Sequence, residues 1–295
     1  MTYSIVARDP ATGELGVAVQ SHWFSVGSVV SWAKTGVGAV ATQAIAEIAH
    51  GPRVLEILER GADARQALAE SLAADPGAAG RQVAVVDSAG RVAVDTGPSC
   101  IPFAGDVTGE AVSCQANMMA SKAVWPAMLD AYNQGEGPLT HRLLEALDAG
   151  EAAGGDIRGR QSAAILVVPA EGEPWRTVVS LRVDDDPDPL AELRRLVLLH
   201  DAYEVAEEAD TLSGDGRHDD AASLYRRASE LAPDNLELRF WAGIGLAQGG
   251  AVDAGARLVK EVIDVRPAWS DLLDRLPPEI APSARAVRDR LAHQD

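Results

Sequence analysis

Thr2 stands directly behind Met1 in MTYSIVARDPATGELGVAVQS. Aminopeptidases remove an initiator methionine when the next residue is small, so the mature chain is expected to begin with threonine. A threonine hydroxyl is a poor nucleophile unless a base lies beside it, and the α-amino group of the same residue is such a base, held within reach by covalent geometry. Its ordinary pKa of about 7.7 to 8.0 leaves an appreciable neutral fraction near neutral pH, whereas an ordinary lysine at about 10.4 is almost wholly charged. Thr2 is therefore the candidate nucleophile and its amine the proton shuttle.

Such a nucleophile needs donors for a developing oxyanion and groups that orient the substrate. Ser21 closes the second apolar run, Gln43 ends the run after Lys34, and Gln115 and Asn117 interrupt VSCQANMM. Asn117 or Gln43, with backbone amides, is expected to hold the oxyanion. The densest polar cluster is GGDIRGRQSA, which places Asp156, Arg158, Arg160, Gln161 and Ser162 beside Gly154, Gly155 and Gly159. Glycines let backbone amides approach a ligand, and an arginine can clamp a carboxylate. Arg158 or Arg160 is thus the candidate clamp; the alternative is a tight turn capped by an Asp–Arg pair. Lys34 lies between two strand-like apolar runs, where an unpaired charge is costly, so it requires a solvent exit or a fixed partner.

Other chemistries lack their residues. The six histidines stand singly, with no His-x-x-x-His or Cys-x-x-Cys spacing, so no metal site is expected. Gly-x-Ser-x-Gly elbows, phosphate-binding loops and Gly-x-Gly-x-x-Gly turns are missing, and no cofactor is expected. Cys100 and Cys114 read as ordinary reduced thiols.

The elements that must position Thr2 follow from periodicity. Tyr3, Ile5 and Ala7 alternate with Ser4, Val6 and Arg8, and a Pro/Gly turn leads to Leu15–Ser21, which together read as a hairpin with Thr2 at the tip of a buried strand. Val26–Trp32 and Val37–Gln43 form another pair. Helices are expected in GPRVLEILERG and DARQALAESLAADPG, a hairpin in RQVAVVDSAGRVAVDTG, and a strand in EAVSCQANM. Two helices follow, around Ser121–Asn133 and Leu139–Ala152, and then the strands QSAAILVVP and TVVSLRV. Hairpins and paired helices predict an α+β layered fold with antiparallel sheets inside and helices outside. VDDDPDP, with its prolines and acids, reads as a linker. Residues 1–184 and 185–295 are accordingly expected as two domains. The second shows almost only helical periodicity, and LYRRASELAPDNLELRFWAGIGLAQGG resembles one tetratricopeptide repeat of about 34 residues. One convincing repeat is too few for a free solenoid, which leads to an expected homo-oligomer, a dimer through this region.

The chain has 295 residues and a formal net charge of -18. That balance argues against nucleic acid and anionic membrane partners, which draw on clustered Lys and Arg. No apolar run reaches the roughly 18 to 20 residues that span a bilayer, and the N-terminus lacks a secretory pattern, so a cytoplasmic protein is expected.

MTYSIVARDPATGELGVAVQS, WAKTGVGAVATQA, RQVAVVDSAGRVAVDTG and GGDIRGRQSAA together resemble the bacterial and archaeal family called domain of unknown function 1028, over residues 1 to about 183. The resemblance implies membership of the N-terminal nucleophile hydrolase superfamily: a four-layer αββα sandwich and amidohydrolase activity through an N-terminal Thr, Ser or Cys. It matches Thr2 to the nucleophile and Lys34 to a basic residue at the end of the third strand in proteasome-like relatives. SHWFSVG departs from the family pattern. The expected activity is hydrolysis of a small or peptide-like amide through an acyl-threonine ester. An acyltransferase differs only in the acceptor of the second step, and the rival from another class is a non-catalytic binding or scaffolding protein whose helical region recruits a peptide, cell-wall fragment or protein.

Overall fold

In the computed structural model, which describes residues 2–293, the alternation of the opening segment becomes a two-sided strand. Successive strand side chains point oppositely, so β1 (Thr2–Arg8) sends Tyr3, Ile5 and Ala7 into one core and Val6 into another. β1 pairs antiparallel with β2 (Leu15–Ser21), as the hairpin reading anticipates. Its other neighbour is β8 (Val112–Asn117), and the registers set Thr2 opposite both Ser21 and Asn117.

Six strands complete this sheet in the order β10-β9-β2-β1-β8-β7, with β7 (Gly105–Gly109), β9 (Ser162–Val168) and β10 (Val179–Val183). A four-stranded antiparallel sheet runs β3-β4-β5-β6, from β3 (Ser31–Lys34) and β4 (Gly38–Ala44) to β5 (Arg81–Asp87) and β6 (Val92–Thr96). Val6, Val17 and Val19 of the first sheet meet Ala39, Ala41, Ala84 and Val86 of the second in a shared core. The outer face of the first sheet packs on α4 (Val124–Gln134) and α5 (Leu139–Ala152) through Tyr3, Ile5, Met128 and Leu143. That of the second packs on α2 (His50–Glu59) and α3 (Ala64–Ala73) through Val40, Val83, Val54 and Leu68. Asp63 caps α3 by accepting the Gln66 N–H at 2.8 Å.

Two local readings change. Residues 27–30 form a helical turn, α1 (Gly27–Val30), where a strand was expected. Tertiary anchors decide this: the Ser162 hydroxyl accepts the Val26 N–H, and the turn presses so closely on β9 that a Cβ on Gly27 would lie 2.4 Å from the Ala164 methyl. β7 escapes periodicity because GDVTG has one large apolar side chain; pairing with β8 makes it a strand.

The chain divides into two compact units, residues 1–197 and 198–295, and the division falls inside α6 (Pro189–Gly214). The second unit is helical, continuing through α7 (His218–Leu231), α8 (Leu236–Gln248), α9 (Val252–Val265), α10 (Ala268–Arg275) and α11 (Ala284–Ala292). Its core gathers Phe240, Val259, Val262, Leu273 and Val287. α8 and α9 approach so closely that a Cβ on Gly255 would lie 2.2 Å from the Gly243 carbonyl. Among the described residues no helix is long and apolar enough to cross a membrane. Both cysteines are free thiols.

Candidate functional site

The face of β1 that carries Thr2 and Ser4 is polar where the rest of the inter-sheet core is aliphatic, and the groups it meets are polar as well. Thr2 is buried, and its hydroxyl donates to Ser21 Oγ at 3.1 Å. Its carbonyl accepts from Asn117 Nδ2 at 3.3 Å and Gln43 Nε2 at 3.4 Å. The Ser4 hydroxyl donates to Gln43 Oε1 at 2.8 Å and accepts from Gln115 Nε2 at 2.6 Å. Gln82 is the hub, since its Oε1 accepts from both Gln43 (2.8 Å) and Asn117 (3.0 Å) while its Nε2 donates to Thr96 Oγ1 and to the Gly105 and Ala116 carbonyls. Seven strands from two sheets thus converge on one buried hydrogen-bond network, in which each amide is fixed by the others.

Thr2, Ser21, Gln43, Gln115 and Asn117, singled out in the sequence, are therefore neighbours. Asn117 and Gln43 hold the backbone of Thr2, and their amide protons are engaged there and on Gln82 and Gln115. Met1 lies outside the described residues, and with it the expected loss of Met1.

Ser162 sits opposite Ser21 in the β2–β9 register, but its hydroxyl donates to the Trp23 carbonyl and accepts the Val26 N–H, which holds the segment after β2. Asp156 takes the His22 N–H at 3.2 Å and pairs with Arg158 at 2.8 Å. Gly154, Gly155 and Gly159 all have positive φ, so the glycine-rich loop needs these residues to make its turns. Arg160 pairs with Asp188 and Glu151, and the Gln161 side chain donates to Asp185. Arg158 thus pairs with Asp156 inside the cluster, as in the capped turn weighed for it, and Arg160 pairs with carboxylates outside it. Lys34 is separated from Thr2: it lies opposite Gly38, at the far end of β4 from Gln43, and its ammonium pairs with Glu59 at 2.7 Å. Of the solvent exit and the fixed partner that its strand setting allowed, Lys34 has both, being partly exposed and paired with Glu59 on α2.

Four of the five non-glycine residues with left-handed backbone among the described residues flank this end of the sheets: Ser25, Ala44, Phe103 and Met118. Ala44 follows Gln43 and Met118 follows Asn117. Each such residue costs roughly 1–2 kcal/mol, and such strain concentrates at functional sites. The same end is rimmed by exposed apolar side chains. Trp23 and Phe24 follow Ser21, Ile45 follows Ala44, Ile157 follows Asp156, and the Phe103 carbonyl accepts the Met119 N–H. Each is at least 47% exposed, so several large apolar side chains meet solvent at this end of the sheets.

The sequence reading missed Ser4, Gln82, Thr96 and Asp106, the last of which accepts the Thr96 hydroxyl at 2.6 Å. Parity was the available signal, because Ser4 shares the β1 face of Thr2 and Gln82, the second residue of β5, lies opposite Gln43. A second cluster, also missed, joins His50 Nδ1 to Ser71 Oγ (2.7 Å) and His50 Nε2 to Asp75 Oδ2 (3.0 Å). Its residue types are those of a hydrolytic triad, but His50 and Ser71 are completely buried and no substrate reaches them. Asp75 also pairs with Arg81, which donates to the Ile45 carbonyl, so this cluster braces the segment after β4. The Arg81 guanidinium, the Gly77 N–H and His50 hold the Asp75 carboxyl well below the usual carboxylate range.

The family model described as "Family of unknown function (DUF1028)" matches residues 2–193. A crystal structure of protein SPO2555 from Silicibacter pomeroyi, assigned to the same family model, is 33% identical, with a TM-score of 0.61 over 66% of this chain and 87% of that one. Anbu, the ancestral beta-subunit from Yersinia bercovieri, matches at 12% identity and a TM-score of 0.34, over 66% of this chain and 92% of its own. No curated protein is significantly similar.

Proposed function

Because the chain belongs to the family of unknown function DUF1028, membership brings no activity with it, and we propose one from the site: an N-terminal nucleophile amidohydrolase on a four-layer αββα sandwich, cleaving a small or peptide-like amide. The observation that carries this reading is the placement of Thr2. Its hydroxyl contacts Ser21 at the polar end of two facing sheets, and its carbonyl is fixed by two buried amides. Cleavage before Thr2 frees an amine that takes the hydroxyl proton as Oγ1 adds to the substrate carbonyl. The proton passes to the departing amine, and water then hydrolyses the acyl-threonine ester.

In this reading Asn117 and Gln43 are positioning residues for the nucleophile, and Ser21 orients its hydroxyl. The apolar rim of Trp23, Phe24, Ile45, Phe103 and Ile157 favours an acyl group that is apolar, and the paired state of Arg158 and Arg160 removes the reason to require a substrate carboxylate. Lys34, remote and paired, has no part in the step. The helical region is read as tetratricopeptide-like, and the protein as a dimer in the cytoplasm.

The test is incubation with an electrophilic β-lactone followed by intact-mass and peptide mass spectrometry. The expected product is a chain lacking Met1 with the label on Thr2, and no label on Thr2→Ala. Retention of Met1 in freshly purified protein together with an unlabelled Thr2 would overturn the reading. That outcome favours the second one, a non-catalytic binding protein on the same fold, for which the burial of Thr2 speaks.

A further inference from the structure

A cavity of about 610 Å³ lies wholly within the helical unit. Its volume falls in the range of small-molecule sites, roughly 300–1,000 Å³. α6 contributes Tyr203, Glu207 and Asp210, which share one helix face by their spacing of four and three residues. α7 contributes Tyr225, and α8 contributes Glu237 and Trp241, one turn apart. The tyrosines join the helices: the Tyr225 hydroxyl donates to Asp210 Oδ1 at 2.7 Å and that of Tyr203 to Glu237 Oε2 at 3.0 Å. Burial raises the pKa of both phenols, which therefore stay neutral donors.

Charge decides what such a cavity accepts. Three carboxylates line it, no Lys, Arg or His does, and none of the three is in an ion pair among the described residues. Negative charge in a concavity with apolar walls concentrates cations. Aromatic faces add a cation–π attraction that carboxylates alone would not supply. A metal ion fits poorly, because the described residues contain no group of three His, Cys, Asp or Glu placed to hold one. The remaining lining, including Leu238, Ile244 and Ile280, is aliphatic and suits a hydrocarbon stem.

We propose that this cavity binds an organic cation, a primary ammonium or guanidinium carried on an apolar stem, with Asp210, Glu237 and Glu207 facing the charge, the rings of Tyr203, Tyr225 and Trp241 beside it, and the aliphatic lining around the stem. The site is independent of the chemistry at Thr2. Titration calorimetry on the full chain tests it with 4-phenylbutylamine, its uncharged counterpart 4-phenylbutanol, and 4-phenylbutyrate. The amine binds saturably, the alcohol about tenfold more weakly, a difference of about 1.4 kcal/mol, and the carboxylate not at all. Asp210→Asn with Glu237→Gln and Glu207→Gln keeps acceptors for both tyrosine hydroxyls and abolishes the preference for amine over alcohol. A final arm compares the amine with Nα-acetyl-lysine methylamide, whose side-chain ammonium is free: tighter binding of the latter assigns the cation to a peptide side chain, weaker binding to a free amine, and either result supports the site. Equal affinity for amine and alcohol, or no saturable heat with the amine in the millimolar range, overturns it, and the comparison needs no variant to fold.

Discussion

Replacing Gln82 by methionine tests whether the polar network at Thr2 is sealed and stabilising. Gln82 is fully buried, and the two side chains are nearly equal in length and volume, so the change removes hydrogen bonds without opening a cavity. Gln43 keeps the Thr2 and Gln115 carbonyls as acceptors, and Thr96 keeps Asp106 at 2.6 Å. The Gly105 and Ala116 carbonyls each lose a donor, and one Asn117 N–H loses its acceptor. An abandoned buried group costs about 1–3 kcal/mol, the carbonyls toward the lower end because each has a second lone pair, which sums to about 3–5 kcal/mol. At about 2–4 °C per kcal/mol for a unit of this size, the melting temperature falls by about 10 °C. Thermal unfolding followed by circular dichroism measures it. Gln161→Met is the control, because its side chain bonds Asp185 at the surface and its loss moves the transition by about 1 °C or less. A shift for Gln82→Met no larger than the control's would mean that water already satisfies these groups, and the argument that Gln43 and Asn117 hold Thr2 rigidly would fail.

Three further outcomes are expected. Lys34→Met leaves β-lactone labelling of Thr2 unchanged and costs about 0–1 kcal/mol in a denaturant titration, as a half-exposed ion pair should. Asp75, whose carboxyl is held low in the fold, stabilises the protein above the ordinary carboxylate range and loses that contribution as pH falls toward its folded value; stability measured from about pH 5 to 2 therefore falls less steeply in Asp75→Asn than in the parent. Gly255→Ala drives a methyl into the Gly243 carbonyl and destabilises the helical unit by about 1–3 kcal/mol, read as the loss of its unfolding transition at lower denaturant.

Much of the first unit was legible because its strands are two-sided. Tyr3, Ile5 and Ala7 declare one buried face of β1, and the Pro/Gly turn before Leu15 fixes the first hairpin. Polar residues that interrupt apolar strands, Gln43, Gln115 and Asn117, could be picked out singly on the same grounds. Their roles were not legible, because an amide's role depends on which partner it faces. Asn117 and Gln43, assigned to an oxyanion, hold the Thr2 carbonyl, while Arg158 and Arg160, assigned to a substrate, meet Asp156, Asp188 and Glu151.

By itself the sequence determined which segments could be strands or helices and that Thr2 opens a buried strand, since these depend on local pattern and composition. Register and sheet order decided the rest. They set Thr2 between Ser21 and Asn117, brought Gln82 from the second sheet onto both amides, carried Lys34 to the opposite end of β4, and folded Tyr203, Tyr225 and Trp241 around three carboxylates. Those are contacts between residues many positions apart in the chain, where the geometry of packing, and no local preference, chooses the partner.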